Sequence, residues 1–142
     1  MPDEHELLPE ISLIDGALAS FSFIEAAIGG DFAEEVRTRE ARPVGELFFR
    51  RVEIPLSLLQ ERAKLTSLRD LLFEASSGGE GAARQRALTE IQQRIAAGDS
   101  PAMAIQVVHD TIQILGGMDV AAVAVSIGVE SVPAWELLPP KP

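Results

Sequence analysis

Residues 100–129 read SPAMAIQVVHDTIQILGGMDVAAVAVSIGV, and their only ionisable side chains are His109, Asp110 and Asp119. A chain in water hides such a segment in its own core or against another copy. Its hydrophobic period therefore decides the fold. Ile105, Val108, Ile112 and Leu115 recur at spacings of three and four, the repeat of one helical face. Ser100 stands ready to cap that helix, Pro101 suits its first position, and Gly116-Gly117 ends it. Two patterns then compete. Val123, Val125, Ile127 and Val129 alternate with Ala124, Ser126 and Gly128, as in a strand. Val120, Val123, Ala124 and Ile127 equally suit a short helix capped by Asp119. The rest of the chain offers one other candidate strand, and so small a sheet does not stand alone. The helix is preferred.

Working outward, a C-terminal tail from residue 131, SVPAWELLPPKP, carries four of the nine prolines and the only tryptophan. Trp135, Leu137 and Leu138 are its candidates for contact with a partner, because tryptophan is favoured at the centres of interfaces. Upstream, Ala83–Ala97 turns Ala87, Leu88, Ile91 and Ile95 inward and is stopped by Gly98. Residues 76–81 (SSGGEG) have the composition of a flexible linker. Ser57 with Gln60 forms a capping box for a helix to about Ala75.

The segment from Pro43 to Leu56 is ambiguous. Val52, Ile54 and Leu56 alternate as an edge strand would, but Val44, Leu47, Phe48 and Val52 fit a helix, which is preferred. Asp31 with Glu34 opens a short polar helix to about Ala41, and Gly29-Gly30 closes the one before it. That earlier helix starts at Pro9 and runs through Ile11, Ile14, Leu18, Phe21, Glu25 and Ile28. Asp15-Gly16 is a rival hairpin signal, but the helix gathers the large side chains better.

The expected fold is therefore all-α: a single-domain helical bundle of about five to six helices over residues 9–130. It lies between a flexible acidic N-terminus at 1–8 and the Pro/Trp-containing tail at 131–142. The alternative is α+β, with a small sheet from residues 45–54 and 120–129.

Composition bounds the function. At 142 residues, 46% of them hydrophobic, the chain can bury a core of its own. It lacks cysteine, which excludes disulfides, thiolate catalysis and cysteine-based metal sites. The net charge is −10, and residues 1–40 hold ten acids against Arg37 and Arg39, leaving −2 for the remaining hundred. With no basic run to displace counterions, no nucleic-acid partner is expected, and an anionic membrane surface would repel the chain. The acidic start lacks the positive n-region of a signal peptide, and no uncharged run is long enough to span a bilayer. A cytoplasmic protein is expected, and ten arginines against two lysines suggest a bacterial one.

Chemistry is sparse. The two histidines, His5 and His109, cannot build a zinc site, and no calcium loop or P-loop is present, so neither metal nor cofactor is expected. His109 with Asp110 is the one candidate acid–base pair, yet adjacent helical residues point about 100° apart. The preferred reading is a non-catalytic helical interaction protein, such as a small subunit, adaptor or chaperone-like partner. It would act through an apolar surface as a homo-oligomer, commonly a homodimer, or with a protein partner. Two alternatives stand beside it. One is a small-molecule-binding protein or enzyme with a pocket near His109 and Asp110. The other is an acidic immunity or regulatory protein that binds a basic partner.

Overall fold

The computed structural model describes residues 12–29, 32–65, 67–77 and 81–139. The expected flexible lead at 1–8, the cap at Asp31 and half of the expected linker, residues 78–80, lie outside them. Strand β1 (Ser12–Ser20) leads directly into helix α1 (Phe21–Ile28), and α2 (Phe32–Arg39) follows. A single 3-10 turn at Val44–Glu46 precedes β2 (Phe48–Pro55), α3 (Leu56–Arg62), α4 (Leu68–Ser77) and α5 (Gly81–Ala96). The chain then forms β3 (Met103–Val108), β4 (Thr111–Gly116), α6 (Met118–Ile127) and β5 (Ser131–Leu137).

The five strands make one mixed sheet in the order β1-β2-β5-β3-β4. All neighbours run antiparallel except β3 and β5, which are parallel. Alternation sorts side chains to the two faces, and helices cover both. On one face Val52, Ile54, Met103, Ile105, Ile112, Val132 and Ala134 pack beneath α3 and α6. Helices α4 and α5 lie over α6 through Leu71, Leu88, Ala122 and Val123. The other face is more aromatic: Phe49, Leu137 and Ala104 meet Phe21, Ile24, Phe32 and Val36 of α1 and α2. Phe32 stacks on Phe21 at 5.3 Å and tilts against Phe49 at 5.7 Å.

This is an α+β fold, and it overturns the all-α bundle. Burial of the decisive segment is as expected: Met103, Ala104, Ile105, Ile112, Leu115 and Val120–Ala124 are all core. Its period is not. Residues 103–116 form a hairpin, because Ile105 and Val107 pair with Ile114 and Ile112 across a two-residue turn at His109-Asp110. A run rich in Ile, Val and Thr satisfies both a helical and a strand repeat, and stiff β-branched side chains favour the extended form. Residues 118–127 are the preferred helix, so the sheet envisaged from 45–54 and 120–129 is only half present. That helix is capped by Gly117, not by Asp119, which lies in its first turn and accepts from Arg84 Nη1 at 2.6 Å.

Three further expectations are corrected. Residues 12–20 are strand, and Ser20 caps α1 by accepting from Phe23 N at 3.2 Å. Residues 48–55 are strand, because Val52 and Ile54 face one core while Phe49 faces the other. The helix expected over 57–75 is two helices. The expected C-terminal tail supplies β5, the central strand, from Ser131 to Leu137.

Gly116-Gly117 is a packing device. Gly117 has φ 88, and a Cβ there would lie 2.7 Å from Met103 Cβ and 2.9 Å from its Cα. Gly98 has a similar φ of 83 with open space around it. Gly117→Ala therefore combines left-handed strain with a clash against buried backbone, whereas Gly98→Ala carries only the strain, about 1–2 kcal/mol. Urea unfolding of the two variants should show the larger loss at Gly117; equal losses would refute the close approach to Met103.

Candidate functional site

Two consecutive arginines on β2 meet two consecutive residues of β5. The register sets Arg50 opposite Glu136 and Arg51 opposite Trp135. Because successive strand side chains point to opposite faces, the two pairs lie on opposite sides of the sheet. On the first face Arg50 Nε donates to Glu136 Oε1 at 3.0 Å, and Glu136 is only 1% exposed. On the second, the Arg51 guanidinium carbon sits 5.1 Å from the centre of the Trp135 ring. Phe23 of α1 meets the same indole edge-on at 5.7 Å and 71°.

The expected partner-binding residues are thus distributed by the pleat. Trp135 is half-buried between Arg51 and Phe23, Leu137 is core at 3% exposure, and half-buried Leu138 donates its N–H to Phe48 O at 3.0 Å. Arg42 Nη2 ties the same end down, donating to Leu138 O at 3.0 Å and to Glu40 Oε2 at 2.7 Å. The hydrogen bond from Arg42 holds the Glu40 carboxyl below its ordinary pKa of 4.5, against the opposing effect of burial.

The expected acid–base pair lies elsewhere, in the β3–β4 turn. His109 adopts φ 57 and is exposed, and Asp110 is 80% exposed with Arg62 Nη1 4.0 Å from its carboxylate. Hairpin geometry accounts for both residues: the turn needs a positive φ and polar tips. Among the described residues no group of three or more carboxylates and histidines could hold a metal ion. A shallow polar depression on α5, lined by Gln85, Arg86, Thr89, Glu90 and Gln93, belongs to a single helix face.

Side chains that the sequence reading turned inward form the more distinctive feature. Leu18 is 59% exposed and Phe48 43%, and the pairing Ser20↔Phe48 places them as diagonal neighbours on one face. Phe23 and Val44, also exposed, flank the same β1–β2 end. Only Phe73 and Ile127 complete the exposed large hydrophobics among the described residues. The alternating burial of FFRRVEIP was the available signal, since it sends Phe48 and Phe49 to opposite faces. Comparison with protein-family models, curated proteins and solved structures gives no match for this chain.

Replacing Arg50 with Met removes the arginine paired with the buried Glu136 carboxylate, and breaking a buried pair typically costs about 3–5 kcal/mol. Urea denaturation followed through Trp135 fluorescence should register that loss; a change below about 1 kcal/mol would show that the pair is not structural. Because the folded Glu40 has the lower pKa, its contribution is present above 4.5 and is lost as pH falls through the folded value. Glu40→Gln should therefore flatten the acid limb of the stability–pH curve, and an unchanged limb would contradict the Arg42–Glu40 bond.

Proposed function

We propose that this protein works by association, without catalysis of its own, through the apolar rim at the β1–β2 end of its sheet. The observation that carries this reading is the pair Leu18 and Phe48, both exposed and diagonal neighbours on one face of the β1–β2 ladder. Isolated exposed apolar residues are ordinary, but large ones in contiguous register mark surfaces that meet other proteins. Three charged groups of β2 and its neighbours are engaged: Arg50 with Glu136, Arg42 with Glu40, and Arg51 with the Trp135 ring.

Residues this exposed contribute little to folding, so Leu18→Glu with Phe48→Glu separates association from stability. The protein recovered from expressing cells should have a native mass above that of one chain, and the double variant should fall to one chain with an unchanged circular dichroism spectrum. A one-chain mass for the unaltered protein at tens of micromolar would overturn the reading.

A further inference from the structure

We infer that the buried pair of Arg50 with Glu136 selects the register in which β5 enters the sheet, an inference that stands apart from the association reading. Glu136 is the only charged side chain buried among the described residues. It lies opposite Arg50 on β2 and beside Ile105 on β3, and it accepts from Arg50 Nε at 3.0 Å. Such a pair is a poor source of net stability, since desolvation of both charges offsets their attraction. Apolar residues of similar volume in the same places are often as stable or more so. What a buried pair can supply is choice between arrangements, because breaking it costs far more than forming it gains. Among the described residues only β5 joins β1–β2 to β3–β4, so its register sets how the two halves of the sheet meet.

A slip of β5 by one residue is already forbidden. It would exchange the strand's faces, sending Trp135 and Leu137 toward the aliphatic core and Val132 and Ala134 toward the aromatic one. A slip by two residues keeps every side chain on its own face. Apolar burial resists that slip weakly, since on the aliphatic face β5 gives the core only Val132 and Ala134. The charges resist it strongly. Moved one way, Glu136 comes opposite Val52 and Leu138 opposite Arg50; moved the other way, Glu136 comes opposite Phe48 and Ala134 opposite Arg50. In both cases Arg50 faces an apolar side chain and the carboxylate has lost it. Arg51 over the Trp135 ring and Ser131 bonded to Glu53 agree with the present register. All four of those residues are only half-buried, where such contacts discriminate less.

Trp135 is the only tryptophan and adjoins Glu136, so fluorotryptophan incorporated there reports the register directly. The unaltered chain should give one fluorine resonance. In the double variant Arg50→Leu with Glu136→Leu the urea midpoint should be no lower than that of the unaltered chain. Its fluorine resonance should nevertheless split, or the cross-strand nuclear Overhauser contact between Val52 and Ala134, which face each other in the present register, should be lost. Arg50→Lys keeps the charge and should keep both the one resonance and the contact. One resonance with the contact intact in the double variant would overturn the inference, because the register would then hold without the charges. A lower midpoint, or failure of that variant to fold, would overturn it too, by assigning the pair to stability. So would a split resonance in Arg50→Lys.

Discussion

The fold depends on its last strand. The pairs β1–β2 and β3–β4 are each antiparallel ladders, and among the described residues only β5 joins one pair to the other in the sheet. Val52, Ala134 and Met103 mark that junction as one row across three strands, all fully buried. Helices on either face can only complete their cores once β5 is in place, because Ala134 and Val132 belong to the aliphatic cluster and Leu137 to the aromatic one. The ion pair of Arg50 with Glu136 closes a separation of 86 residues. Long closures of this kind cost chain entropy before they return any contact, so joining β5 to β2 is the costliest closure in the sheet.

This dependence explains which parts of the molecule were legible in the sequence. Burial was legible, because it follows from composition: a segment with so few charges is core whatever its conformation. Helix α5 was legible as well, through its periodicity and Gly98, and α2 through the acids at its start; α6 was preferred over a strand only because a small sheet does not stand alone. Conformation was not legible where one set of side chains fits two periods. Ile105, Val108, Ile112 and Leu115 describe a helical stripe, while Ile105, Val107, Ile112 and Ile114 describe two strands of a hairpin. What decides between them is the neighbouring β5, whose Trp135 pairs Ala104 across 31 residues of sequence, and which no local pattern announces. Taken singly each strand lacks a partner, and only the five together supply one another's.

The candidate site shows the same division. Trp135, Leu137 and Leu138 stood out by residue type, but proline made their segment look like a tail. Pro133 is tolerated because β3 pairs β5 only from Ala134 to Glu136, so Pro133 has β2 alone beside it. There β5 is locally an edge, the one setting in which a sheet accepts a missing N–H. Leu18 and Phe48 went the other way. Each was assigned inward because large apolar residues usually are, and only the register reveals that both lie beyond the helices covering their face.

A strongly acidic surface and an exposed apolar rim answer one physical requirement. Net charge far from zero keeps copies of a chain apart and soluble, yet it acts over a range set by screening and is weakest where carboxylates are absent or paired. Around β1 and β2 the carboxylates of Glu40 and Glu136 are both held by arginines. On the association proposed above, charge repulsion would disfavour other approaches, and the exposed pair Leu18 and Phe48 would mark the approach it opposes least. Association confined in this way needs few contacts to be specific, because specificity lies in the difference between the permitted approach and the forbidden ones.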